Sequence, residues 1–130
     1  MKRKLLYDCL DVARKMNCPE KHPDWGCYHH FSFLVQHNKI IGFGMNRRGD
    51  PINHLGYAEW GKIHSEFDAY QQVKGIMEDS AFSIINFRLS KQGALRDSTP
   101  CSCCFNFLKK MGCKEVWFST INGHMAWMGF

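Results

Sequence analysis

Four residues hold most of the chemistry in this chain: His64, Glu66, Cys101 and Cys104. They fall in two short runs, Ile63-His64-Ser65-Glu66-Phe67 and Thr99-Pro100-Cys101-Ser102-Cys103-Cys104, which read H-x-E and P-C-x-x-C. One imidazole and two thiols are ligand types that zinc prefers, and three such ligands leave one corner of a tetrahedron for water. Zinc lowers the pKa of such a water to about 7, so hydroxide is available at neutral pH. Glu66, two residues past His64, is then the carboxylate placed to move protons, with no need to touch the metal.

Two helices are expected to bring these runs together. Residues from about Ile63 to Lys74 read as one, stopped by Gly75, with Ile63, Phe67, Tyr70 and Val73 on its buried face. Pro100 to Lys110 reads as the other, stopped by Gly112, with the proline suited to its first turn. In that helix Cys101 and Cys104 are three apart and share a face near the N-terminus, where the dipole favours thiolate. Cys103 is rotated by about 100° from Cys104 and is expected to point elsewhere. A lone histidine at the position of His64 is more often structural than a ligand. Glu66 and the two downstream cysteines reverse that expectation.

The other elements follow from periodicity and turn signals. Lys2 to Asn17 reads as an amphipathic helix with Leu6, Cys9, Leu10, Ala13 and Met16 on its apolar stripe. Two strands, Phe31–Val35 and Lys39–Met45, are joined by a polar turn at His37-Asn38. Gly42 and Gly44 leave one face of the second strand bare, so a close-packed helix is expected there. Phe82–Leu89 reads as a third strand, Ser90 to Ser98 as a polar turn returning to the site, and Glu115–Thr120 as a fourth strand. Asn122-Gly123 is a strong hairpin signal, returning the chain as a fifth strand from His124 to Trp127 or on to Phe130. Cys9 reads as a small buried hydrophobe, and Cys27 and Cys113 as structural cysteines.

Composition bounds the class. With 130 residues, 45% of them hydrophobic, the chain suits a single domain, 1–130, with a real core. Seven cysteines without a secretion signal read as thiols and metal ligands rather than a disulfide framework. Asp8, Asp11, Arg14 and Lys15 break the apolar run a signal peptide would need, and no run is long enough to span a membrane. A cytoplasmic location and no membrane partner are expected. The net charge of +5 is compatible with a phosphate-bearing partner. The pattern sets no oligomeric state.

H-x-E followed by P-C-x-x-C resembles the zinc-dependent cytidine and deoxycytidylate deaminase superfamily. The resemblance covers most of the chain, from about Phe31 to Thr120. It implies an α/β cytidine-deaminase-like fold: a mixed sheet of about five strands with helices on both faces, here with an antiparallel C-terminal hairpin. It implies Zn2+ as cofactor, hydrolytic conversion of cytosine to uracil, and Glu66 as the proton carrier. Asn46 matches the asparagine that reaches the substrate sugar in that superfamily; its bland alternative is a strand-terminating turn residue. Ser65 stands where alanine is commonest in the family's H-A-E, and Ser65 and Pro100 are expected beside the substrate.

The substrate's size draws opposing signals. Arg48 replaces an acidic residue usual in free-nucleoside deaminases, and Arg47 and Arg48 suit phosphate better than a sugar hydroxyl. Trp25 and Trp60, with Tyr28 and Tyr57, are candidates for stacking on a base, with hydrophobic plugging as the alternative. These features favour cytosine in single-stranded nucleic acid. The short hairpin end resembles free cytidine deaminases instead, since polynucleotide editors of the APOBEC and tRNA adenosine types place a helix there. The alternative substrate is therefore a free nucleotide or nucleoside: dCMP, cytidine or deoxycytidine. Adenine deamination and a non-catalytic zinc module are minor alternatives. The last would need a fourth protein ligand and leaves Glu66 unexplained.

Overall fold

The computed structural model describes residues 3–26, 29–48, 62–75 and 81–130. Among the described residues three helices, α1 (Arg3–Met16), α2 (Ser65–Val73) and α3 (Ser102–Lys110), flank one mixed sheet. Its main strands are β1 (His29–Gln36), β2 (Lys39–Met45), β5 (Phe82–Leu89), β7 (Cys113–Ser119) and β8 (Met125–Gly129), in the order β2-β1-β5-β7-β8. Strand β5 runs parallel to β7, and the other pairs along this order are antiparallel. Short β6 (Leu95–Arg96) pairs with β5, and β3 (Arg47–Arg48) with β4 (Lys62–Ile63) makes a separate two-stranded ladder.

Strand alternation divides the core into two layers. On one face Phe31, Phe33, Val35, Ile85, Phe87 and Leu89 pack with Cys9 and Ala13 of α1. On the other Leu34, Ile84 and Val116 pack with Phe67 and Val73 of α2 and Phe107 and Leu108 of α3. The apolar run of β5 is thus a strand buried on both faces, as a central parallel-paired strand should be. The five-strand mixed sheet with helices on both faces agrees with the sequence expectation.

Two glycines bring α2 onto the sheet. A Cβ at Gly44 would fall on the backbone of Ser65 and Ala69, and one at Gly42 would lie 2.8 Å from Val73 Cγ1. The bare face of β2 is where α2 lies, as expected from the sequence. The turns also agree. His37 and Asn38 both have positive φ, 52° and 61°, as a two-residue hairpin requires. Gly123, with φ 78°, closes the β7–β8 hairpin.

The element ends differ from expectation in ways that matter to the site. Helix α3 starts at Ser102, so Pro100 lies before the helix and not in its first turn. Cys101 is its N-cap, with extended backbone (φ −67°, ψ 166°), and its Sγ accepts from Cys104 N at 3.4 Å. Sulfur here fills the acceptor role that a serine or aspartate usually takes. Likewise α2 starts at Ser65, with His64 as N-cap, because Ile63 is held in β4 opposite Arg47. The stretch from Ser90 to Ser98 is more than a turn: Leu95 pairs with Leu89 and Arg96 with Arg88.

Candidate active site

The N-termini of α2 and α3 meet at one end of the sheet, and each presents its cap residue there. His64 Nδ1 lies 3.1 Å from Cys104 Sγ and 3.5 Å from Cys101 Sγ. All three ligand atoms lie within 4.8 Å of one another. Zinc–nitrogen and zinc–sulfur bonds of about 2.0 and 2.3 Å at a tetrahedral angle separate N from S by about 3.5 Å, so the three atoms fit one ion. Cys103 is exposed and outside this group. Hydrogen bonds with Cys104 and His64 pull the Cys101 thiol down to about 3. The Cys104 thiol is raised by its bond to Cys101 and by burial. The pair thus holds one thiolate readily, and a cation between them would favour the second.

Glu66 is buried beside this cluster, on the first turn of α2. Desolvation raises its pKa above the ordinary carboxylate value, while its hydrogen bonds and His64 act the other way. Its carboxylate is held on both oxygens. Ser65 Oγ donates to Oε1 at 3.2 Å, and Asn86 Nδ2 donates to Oε2 at 3.2 Å. Ser65 is itself buried, and its hydroxyl lies 2.7 Å from that of Ser32.

The other expected residues make contacts outside the His64, Cys101 and Cys104 cluster. Asn46 Oδ1 accepts from His30 N at 2.8 Å and faces His22 Nε2 at 3.1 Å, so its oxygen clamps the end of β2 to β1 and to the loop that precedes β1. His22 Nδ1 accepts from Asp24 N, which leaves Nε2 as the donor in that clamp. Arg47 Nε donates to Asp68 Oδ1 at 2.8 Å, while Asp68 Oδ2 accepts from Met45 N. Arg47 therefore straps β3 to α2, and Met45 N ties the end of β2 to the same carboxylate. Arg48 is exposed, with Nε 3.5 Å from Asp24 Oδ1. Trp25 stacks on His29, ring centroids 4.1 Å apart, and its carbonyl accepts from His29 Nε2. Pro100 is half-buried directly before Cys101. Cys9 and Cys113 are buried, and burial pushes both thiols up to about 12, as expected of structural cysteines. Cys27, Tyr28, Tyr57 and Trp60 lie outside the described residues.

Four residues near the centre were not singled out from the sequence: Ser32, Asn86, His30 and Arg88. They form two adjacent cross-strand pairs of β1 and β5, Ser32 with Asn86 and His30 with Arg88, on the face that carries α2. The second pair lies one side-chain repeat further, about 7 Å, toward the end of the sheet where His64 and Asn46 sit. Burial lowers the His30 pKa to about 4, and the nearby charges of Arg88 and His64 act in the same direction. The signal was present: Ser32 and Asn86 are polar residues inside apolar strand runs, at inward positions.

No family model matches the chain, and no curated protein matches it. Solved structures do. A cytidine deaminase from Burkholderia pseudomallei superposes with a TM-score of 0.63 at 17% identity, covering 99% of this chain and 93% of that one. The dCMP deaminase of cyanophage S-TIM5 superposes in its apo form with a TM-score of 0.59 at 15% identity, covering 92% and 86%. The same enzyme in complex with dCMP and dUMP gives 0.58 at 15% identity, covering 92% and 84%. The fold is thus that of the cytidine deaminases. A His/Cys/Cys cluster able to hold a metal ion stands within it, which supports the resemblance to that superfamily. Among the described residues, no helix is long and apolar enough to cross a membrane.

Proposed function

We propose that this protein is a zinc-dependent hydrolytic deaminase that converts cytosine to uracil in a free nucleotide. The observation that carries this reading is the convergence of His64, Cys101 and Cys104 within 4.8 Å, beside the buried carboxylate of Glu66. Zinc held by the three side chains would supply an acidified water and positive charge. Glu66 does the proton work. It takes a proton from the attacking water, delivers one to N3 of the base, and helps the amino group leave as ammonia. Burial suits it to the task, since a raised pKa brings a carboxylate nearer to neutral working pH.

Two features favour a mononucleotide over a polynucleotide. The antiparallel β7–β8 hairpin is the ending that resembles free cytidine deaminases. Arg47, one of the two arginines assigned to a phosphate backbone, is engaged by Asp68. For a single phosphate the cation in place is Arg88, beside His30 and near Asp97, which Thr99 holds.

The test is direct. Zinc-loaded protein is incubated in parallel with dCMP, cytidine, deoxycytidine and a single-stranded cytosine oligonucleotide, and uracil formation is measured in each. The expected order places dCMP first. Turnover of the oligonucleotide alone would overturn the mononucleotide reading, and no uracil from any of them would overturn the deaminase reading.

A further inference from the structure

The Glu66 carboxylate is buried, and a buried carboxylate needs partners fixed in place. Its side-chain partners are Ser65 and Asn86, and Ser32 touches both of them, so the network draws on three separate elements. Ser32 Oγ, on β1, donates to Asn86 Oδ1, on β5, at 2.6 Å. This bond decides which way the Asn86 amide faces: with its oxygen on Ser32, its Nδ2 turns to Glu66 Oε2. Ser32 has one proton, and Asn86 takes it. The hydroxyl of Ser65, at the start of α2, therefore supplies the one proton that is shared between Ser32 Oγ at 2.7 Å and Glu66 Oε1 at 3.2 Å. All four side chains are buried.

We infer that Ser32, Ser65 and Asn86 act as one positioning unit that sets the direction of the Glu66 carboxylate. The resemblance does not supply this unit, because its commonest residue at position 65 is alanine, which has no hydroxyl. Asn86 is the central member, since it joins Ser32 and Glu66 through two separate groups, Oδ1 and Nδ2, whereas Ser65 reaches both with a single hydroxyl. Ser32 acts through Asn86, and Ser65 supplies the second oxygen's partner. A carboxylate with both oxygens held keeps one orientation, which a proton carrier needs and a merely buried acid does not. The role rests on Glu66 being the proton carrier of the proposed reaction; the contact itself does not.

The test has two arms. In the first, Asn86→Leu, Ser32→Ala and Ser65→Ala are each assayed with dCMP after zinc content is measured. Asn86→Leu is expected to keep its zinc, keep KM within about twofold, and lose kcat by about 10- to 100-fold, the range for groups that orient a reacting side chain. Ser32→Ala follows in the same direction, and the double variant with Asn86→Leu is no worse than Asn86→Leu alone. Ser65→Ala gives the smallest loss. Unchanged kcat per bound zinc in Asn86→Leu would overturn the unit. In the second arm, no substrate is used. Melting temperatures of Asn86→Ala, Glu66→Ala and the double variant form a cycle. The two losses are expected to be non-additive, and strict additivity would overturn the unit. If the parent protein turns over none of the substrates, the proposed function fails and this cycle alone decides the inference.

Discussion

Phe67 of α2 stacks on Phe107 of α3, ring centroids 4.6 Å apart and planes 29° from parallel. Tyr70 packs edge-on against the same Phe107 ring at 5.3 Å. The helices joined by these rings are the two that present His64, Cys101 and Cys104 at their N-termini. The aromatic contact therefore sets the distance between the two halves of the metal cluster. Phe107→Ala is expected to destabilise the fold by about 3–5 kcal/mol, the usual range for a buried phenylalanine. It is also expected to weaken zinc binding although no ligand is changed. Chelator competition on the folded variant checks this, and unaltered zinc affinity would show that the ligands are positioned without the rings.

The metal cluster and Glu66 separate cleanly by substitution. Cys101→Ala or Cys104→Ala should lose zinc, while Cys103→Ala, exposed and outside the cluster, should keep one ion per chain. Glu66→Gln should keep both metal and fold yet lose turnover, because an amide cannot accept the water's proton. Elemental analysis with a uracil assay on each variant decides it. Near-normal turnover by metal-replete Glu66→Gln would end its assignment as proton carrier.

Much of this was legible in the sequence because it rests on local patterns. The glycines of β2 announced a helix, and α2 leaves no room for a Cβ at Gly44. Asn122-Gly123 announced the terminal hairpin. The misplaced start of α3 has a specific cause. Proline signals a first helical turn, but Cys101 caps the helix with its sulfur and moves the start two residues on. What stayed hidden depends on which strands become neighbours. Ser32 and Asn86 are 54 residues apart and meet only because β1 pairs with β5. Ser65, expected beside the substrate, joins them because α2 packs on this face of the sheet. The ion pair of Arg47 stayed hidden likewise, because its partner, Asp68, lies 21 residues away on α2.

His30 should make the protein sensitive to mild acid. Its folded pKa is lowered to about 4, chiefly by burial, from an ordinary value of 6.5. Between pH 6.5 and 4 the unfolded chain binds this proton and the folded chain does not. Stability therefore falls as pH drops through that window, by up to about 3 kcal/mol, and the loss stops below pH 4. A bound zinc ion near His64 acts in the same direction, since it adds positive charge. His30→Gln should flatten this part of the profile. Urea midpoints of parent and variant at pH 7 and pH 5 measure it, and equal slopes would show that His30 protonates freely in the folded state.

Arg88 should separate a nucleotide from a nucleoside. It pairs with His30 across β5 and β1, one step beyond the Asn86–Ser32 pair that adjoins Glu66, at the end of the sheet where Asn46 closes β2. A base held at Glu66 would point its sugar and phosphate toward this end. A guanidinium binds phosphate through a planar fork, and hydrogen bonds to charged groups contribute about 1.5–3 kcal/mol. Arg88→Ala should therefore raise KM for dCMP by about 10- to 100-fold while cytidine, which has no phosphate, changes little. Arg88→Lys should recover part of the loss, as a point charge without the fork does. Arg47→Ala should behave differently. It breaks the strap between β3 and α2, so it should lower stability and affect both substrates alike. Steady-state kinetics with dCMP and cytidine on the three variants distinguish the roles. If Arg88→Ala leaves the ratio of the two kcat/KM values unchanged while Arg47→Ala shifts it, the phosphate lies on the Arg47 side and the sequence expectation was the better guide.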